Sequence, residues 1–464
     1  MLDVPHNPIR QFLQAERSRQ EAFLAELVRF PSSNPPGDCA PHAEHAAALL
    51  ERLGFTVERY PVRKDLVHAN GMVSATNLVV RYRFGEGGPV IALNAHGDVV
   101  PPGEGWTRDP FGAEIVDGWM YGRGVAVSKS DFATYAWALL ALQTLGRPLR
   151  GVVELHLTYD EEAGGEIGPG LLLREAISRP DMAIGAGFSY AVVNAHNGCL
   201  HLEVQVDGKS AHAAKPFTGV DALEAATAVL SALYSWRKGL SGQTSDIEGI
   251  GSPQLTVGLI EGGINTNVVP DRVTFRLDRR IVPEENPAAV EEELRQVIAE
   301  AAASFPQAKV GVRCILLAEP LVPLQGSEML TKALCRRATE IMGEAVTAKG
   351  VPLYTDARHY AAAGVPIALF GAGPHTIEEA NAHRADERLP LSDLHKATEV
   401  DVGTCRSAGG YSCVRRICVW TVCGNGGWAS RPSPRFVTWH EQRKQAPEDS
   451  RWRFPVTLFF KRRL

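Results

Sequence analysis

The chain has 464 residues, 45% of them hydrophobic and 22% charged, with a formal net charge of −5. At about 150 residues per domain this is room for two to three domains with substantial cores, and the balance excludes both a disordered chain and a basic protein that coats nucleic acid. The charge is unevenly placed, since residues 401–464 hold 12 Lys+Arg against 4 Asp+Glu and residues 1–400 hold 36 against 49.

Residues 1–14 are polar and interrupted by Pro5 and Pro8, so they lack the apolar core of a signal peptide. Nowhere do 18 apolar residues run together, as a membrane span requires. A cytoplasmic protein is expected, with Cys39, Cys199, Cys314 and Cys335 as reduced, buried thiols. Helical spacing of Ala43, Ala46, Ala47, Leu50 and Leu53 predicts a helix over 41–53 that ends at Gly54. Strands are predicted over 77–83, 90–94 and 152–158, with a helix over 132–145, the pattern of an α/β sheet with covering helices.

From 199 onward the predicted order is strand 199–207, helix 219–234, strands 254–261 and 272–277, helix 287–304 and strand 309–317. This β-α-β-β-α-β order is ferredoxin-like and closes on itself. The α/β pattern resumes with a helix over 328–342 and a strand over 365–370. The domains expected are therefore a catalytic part in two pieces, 1–197 and 319–400, around a ferredoxin-like insert, 198–318.

Three polar features carry chemistry. His96-Gly-Asp98 follows a buried strand, at the sheet end where ligands bind, and the i, i+2 spacing lets Asp98 orient His96 as a metal ligand. Alone, it is a weak signal, and the plainer reading is a loop turn with a satisfied histidine. Asp160-Glu161-Glu162 precedes the glycine-rich stretch 164–170. It is either a bland acidic loop or a metal ligand beside a general base. Ala382-His383 lies in a polar loop and alone is an ordinary surface histidine.

Together these features resemble the zinc amidohydrolase and exopeptidase family of acetylornithine deacetylase, succinyl-diaminopimelate desuccinylase, aminoacylase and bacterial glutamate carboxypeptidase. The matching stretches are Leu-Val-Arg-Phe-Pro-Ser at 27–32, Asn94-Ala-His-Gly-Asp-Val-Val-Pro101, Trp106 to Phe111, Asp117-Gly-Trp-Met-Tyr-Gly-Arg-Gly124 and Asp160-Glu-Glu162. Further on come Gly208-Lys-Ser-Ala-His212, Gly262-Gly-Ile-Asn-Thr-Asn-Val-Val-Pro270, Leu277-Asp-Arg-Arg280, Thr355-Asp-Ala-Arg358 and Ala382-His383. The resemblance implies a zinc-exopeptidase-like α/β catalytic domain with an inserted lid and dimerisation domain. It implies zinc ligands at His96, Glu162 and His383, with Asp98 orienting His96 and Glu161 as general base. It further implies that His212 reaches a substrate carbonyl, usually across a dimer, and that Asn267 and Arg280 hold the substrate's polar and carboxylate end. An arginine fork suits a carboxylate physically.

Two positions depart from the family. Val127 stands where an Asp bridges two metals, and Ala186 stands where a Glu or Asp ligand follows an apolar strand. Two zinc ions with Glu162 as the one remaining carboxylate ligand would leave about +3 in a partly desolvated cleft, a costly excess. One ion is therefore expected, zinc with cobalt and manganese as alternatives, held by two His and one Glu with an open position. Asp131, about one helical turn beyond Val127, is a candidate substitute ligand; the competing reading is a solvated or capping residue.

After Glu399 the helical period is lost, and 401–464 reads as an irregular, basic, Cys- and Trp-rich segment without a fold, as a shifted reading frame would produce. Cys413, Cys418 and Cys423 lack the paired spacing of a zinc knuckle. A partly uncovered patch is expected where a closing helix would pack. The function expected is hydrolysis of an amide or peptide bond next to a free carboxylate, as in N-acyl amino acids or dipeptides, by a homodimer paired through the insert, with no nucleic-acid or membrane partner. The alternative is a catalytically impaired member that binds or regulates through Arg280 and Asn267. No Gly-x-Ser-x-Gly elbow supports a serine hydrolase.

Overall fold

In the computed structural model of the protein, residues 8–145 and 149–409 are described. Eight strands form a mixed sheet in the order Val57–Pro61, Thr76–Gly85, Gly151–Thr158, Val90–His96, Met182–Gly185, Ile367–Leu369, Val192–His196 and Ala348–Val351. Val90–His96 runs parallel to both of its neighbours, and six of its seven residues in succession are buried. That is the signature of a strand covered on both faces. Parallel neighbours need a crossover, and Lys129–Gln143, buried almost all round, supplies it between Val90–His96 and Gly151–Thr158.

Two helices flank that crossover helix. Pro8–Arg29, which the sequence pattern did not mark, buries Ile9, Leu13, Phe23, Leu24, Leu27 and Val28. The closing helix, Leu391–Gly409, packs on Lys129–Gln143 and on Ser327–Met342. This corrects the expected break at residue 401: the helix runs on, with Asp401, Val402, Thr404 and Cys405 buried, so the expected uncovered patch is occupied by helix. The helix persists because Val400, Val402 and Cys405 keep an apolar stripe against the core, and tertiary burial overrides weak propensity. The expectations for residues 410–464 lie outside the described residues.

The second sheet has four antiparallel strands in the order Gln254–Gly262, Arg272–Ile281, Gly198–Asp207 and Lys309–Ala318. The helices Ala222–Arg237 and Pro287–Ala302 pack on it, around a separate core that includes Leu200, Leu202, Val204, Phe275, Val229 and Leu294. The ferredoxin-like order read from sequence is thus what the chain builds. Asp221 caps the first of these helices by accepting from Leu223 N and Glu224 N, which starts it at Ala222 instead of residue 219. Strand alternation turns Leu200 and Leu202 toward the helices and Cys199, His201 and Glu203 to the opposite face. Of the four thiols expected in the core, Cys39 and Cys199 are buried and Cys314 and Cys335 only partly so.

Candidate active site

His96 ends its strand at the carboxyl edge of the large sheet. Its Nδ1 lies 3.0 Å from the Asp98 carbonyl and 3.4 Å from Asp98 Oδ1, which leaves Nε2 to face the site. Asp98 is itself wholly buried and held on several sides. It accepts from Asn34 Nδ2 at 3.0 Å and from the backbone N–H groups of Glu161 and Glu162 at 3.3 and 3.1 Å. One carboxylate therefore ties the end of Val90–His96 to the turn after the neighbouring strand. Burial works against a charged His96 ring, but Asp98, Glu161 and Glu162 outweigh it and hold its pKa well above the usual histidine value.

Glu161 and Glu162 sit in the single turn Glu161–Ala163, directly after Gly151–Thr158. Ligand-type atoms of His96, Glu161 and Glu162 all lie within 4.8 Å of one another. Burial pushes the Glu161 carboxyl well up, His96 opposes, and the charge of Glu162 adds to the rise. The glycines that follow have a steric reason. A Cβ on Gly165 would stand 2.2 Å from Asp356 Oδ1, and one on Gly168 would stand 2.0 Å from Asp160 Oδ1. Arg358 and His359 close this turn from behind, both bonding the Gly164 carbonyl.

His383 stands on a left-handed residue, φ 61°, with its side chain 67% exposed and Nε2 3.6 Å from Glu162 Oε1. The structure thus sets Glu161, with Glu162, in the tight cluster around His96, and sets His383 at its open rim. The loop is held from below by Glu387, which accepts from Arg123 and from the backbone N–H groups of Gly124 and Ala126. Asp386 adds bonds from Thr107 N and Thr107 Oγ1. Sequence reading singled out none of Asn34, Arg123, Asp356 and Glu387. Arg123 and Asp356 lie inside the quoted motifs, and Glu387 lies four residues beyond His383, so proximity to the motifs was the available signal.

Val127 and Ala186 lie beside the same strand. Ser128, next to Val127, exchanges hydrogen bonds with the His96 backbone at 2.7 and 2.8 Å, and Ala186 N donates to Asn94 O at 2.9 Å. Neither side chain carries a ligand atom. Asp131 is neither solvated nor capping: it is wholly buried, Oδ1 accepts from Ala372 N at 3.2 Å, and Oδ2 has no hydrogen-bond partner among the described residues. It is not in the group of ligand atoms around His96. Burial and the charge of Asp401 push its carboxyl well up.

On the smaller sheet, Arg280 is fixed by Nε donating to Asp278 Oδ1 at 3.0 Å and lies over the Tyr354 ring, 5.9 Å from its centroid. His212 and Asn267 are both exposed and are neighbours, since Ala213 N donates to Asn267 O at 3.0 Å. Among the described residues no hydrogen bond or ion pair joins either of them to the His96 cluster.

A family model described as Peptidase family M20/M25/M40 matches residues 92–406. The succinyl-diaminopimelate desuccinylase of Gluconacetobacter diazotrophicus is 30% identical over 81% of this chain and 93% of its own. The acetylornithine deacetylase of Myxococcus xanthus is 29% identical over 82% and 94%. Among solved structures, the di-peptidase Dug1p of Saccharomyces cerevisiae superposes with a TM-score of 0.72 at 15% identity, covering 87% of this chain and 98% of that one.

Proposed function

Because the chain belongs to peptidase family M20/M25/M40, whose members are metal-dependent hydrolases of amide and peptide bonds, we propose that it cleaves an N-acyl amino acid or dipeptide next to a free carboxylate. The observation that carries this is the convergence of His96, Glu161 and Glu162 within 4.8 Å at the ends of two adjoining parallel strands. The alternative of an impaired binding protein draws no support from the comparisons.

His96, Glu162 and His383 would hold one divalent ion, zinc with cobalt and manganese as alternatives, once the His383 side chain turns inward from the rim. Such an ion supplies Lewis acidity to the scissile carbonyl and acidifies a bound water. Glu161 takes a proton from the attacking water and passes it to the leaving amine. Asp98 holds His96 in one tautomer through Nδ1. Arg280, already held by Asp278, presents its remaining donors to the substrate carboxylate.

The insert pairs with its twin along Gln254–Gly262, an edge strand that carries exposed Leu259 and Ile260, with Ile264 just beyond it. The pairing places His212 and Asn267 of one subunit against the cleft of the other. The parts are 1–197 with 319–400 for catalysis and 198–318 for lid and pairing. A cytoplasmic location fits the free thiols of Cys39 and Cys199; no helix among the described residues is long and apolar enough to cross a membrane.

The test is Glu161→Gln assayed on N-succinyl and N-acetyl amino acids and on dipeptides. Turnover falls about 10²–10⁴-fold while calorimetry still records substrate binding. Equal turnover in the variant removes the mechanism.

A further inference from the structure

Cys199, His201 and Asp278 form a second group of metal-ligating side chains, on the smaller sheet and apart from the His96 cluster. Cys199 and His201 are two residues apart on Gly198–Asp207 and so point to the same face. Asp278 is the direct cross-strand partner of His201 on Arg272–Ile281. The three ligand atoms lie within 4.8 Å of one another. Both Cys199 Sγ, at 3.4 Å, and His201 Nε2, at 2.8 Å, are aimed at the same oxygen, Asp278 Oδ2.

We propose that Cys199, His201 and Asp278 bind one borderline-soft divalent cation of the zinc class, independently of the catalytic cluster. A thiolate, an imidazole and a carboxylate are the ligand types such an ion selects over magnesium or calcium. Tetrahedral ligands about 2.0–2.3 Å from the ion stand roughly 3.4 Å apart, which the Cys199–Asp278 separation of 3.4 Å matches and the His201–Asp278 separation of 2.8 Å approaches. One thiolate and one carboxylate balance the two charges of the ion, with Arg280 adding a single positive charge beside Asp278. Arg280 does not compete, since it bonds Oδ1 and leaves Oδ2 to the metal. It becomes the outer partner that orients a ligating carboxylate. With no ion bound, burial and then the charge of Asp278 push the Cys199 thiol up to about 12, so binding releases a proton. The side chains of His201 and Asp278 are 35% and 28% exposed, which leaves a path for the ion and room for a solvent ligand.

Cobalt titration of the chelator-stripped full chain tests this. Only a thiolate ligand produces a sulfur-to-cobalt charge-transfer band in the near ultraviolet, and the catalytic cluster contains none. The expected result is a band that saturates within two equivalents in the wild type and at one equivalent in His96→Ala, vanishes in Cys199→Ser, and needs at least about tenfold more cobalt in His201→Ala. A band that survives in Cys199→Ser, or no band in a wild-type chain whose circular dichroism shows it folded, overturns the proposal. Because His96→Ala disables only the catalytic cluster, failure of the hydrolase reading leaves this outcome readable.

Discussion

Arg123 and Glu387 stand 264 residues apart in the chain and meet as an ion pair at 2.5 Å, their side chains 1% and 3% exposed. The pair joins the segment that carries Val127 to the loop that carries His383. Glu387→Ala leaves a buried guanidinium without its counter-charge and orphans the N–H groups of Gly124 and Ala126. Unfolding in urea is expected to show a loss on the order of 3–5 kcal/mol. A double variant, Arg123→Met with Glu387→Leu, recovers only part of this, because the two backbone donors stay unpaired.

Metal content reads the two departures. In a Cys199→Ser background, which removes the smaller-sheet cluster, the chain is expected to retain about one equivalent of divalent ion by atomic emission, since one carboxylate ligand balances one ion better than two. Val127→Asp with Ala186→Glu adds two carboxylates beside His96 and raises retention toward two equivalents. Two equivalents in Cys199→Ser would refute the charge argument.

Lys129 is wholly buried, with Nζ donating to Leu27 O and Phe30 O, both at 3.1 Å, and burial lowers its pKa to about 7. Below pH 7 both folded and unfolded chains carry the charge, and the folded state bears the full cost of burying it. Between about 7 and 10.5 the unfolded chain binds the extra proton, so stability rises with pH. From pH 7 to 9 this adds roughly 2–3 kcal/mol. Denaturation across that range is expected to show the rise, and Lys129→Met to flatten it.

Asp401 lies in the closing helix with both carboxylate oxygens buried and, among the described residues, the Thr134 hydroxyl as the one polar group beside them, itself donating to Asp131 O at 3.2 Å. Burial pushes its carboxyl well up, with the Thr134 hydroxyl opposing. Asp401→Val removes a desolvated polar group from an apolar stripe and is expected to stabilise the protein by about 1–3 kcal/mol in thermal unfolding. A lower melting temperature would show that the carboxyl serves Asp131 or another group.

Leu259, Ile260 and Ile264 are 61%, 55% and 78% exposed on or beside an edge strand. Ile260→Glu is expected to shift sedimentation from dimer to monomer and, if His212 acts across the interface, to lower turnover without altering the melting of the catalytic part. A wild-type chain that sediments as a monomer ends the pairing scheme.

The strand at 90–94, the helix at 132–145 and the ferredoxin-like order of the insert were legible because burial imposes periods of 2 and 3.6 on the residues themselves, although the structure extends the strand to His96 and starts the helix at Lys129. His96, Asp98, Glu161 and Glu162 were legible as motifs, and Val127 and Ala186 as missing donors. The helix Pro8–Arg29 was not, because its buried Gln20 bonds Thr398 Oγ1 at 2.7 Å and Ala133 O, partners that no local pattern reveals. For the same reason the break expected at residue 401 was overridden: Asp401 interrupts the apolar period, but Val402 and Cys405 pack into a groove made by two distant helices. Local chemistry determined which residues carry reactive groups. Only the tertiary structure decided that Glu161 stands inside the His96 cluster and His383 at its rim, that Arg123 meets Glu387, and that Cys199, His201 and Asp278 share one point in space. Those distances are set by strand pairing and by burial of charge between segments far apart in the chain.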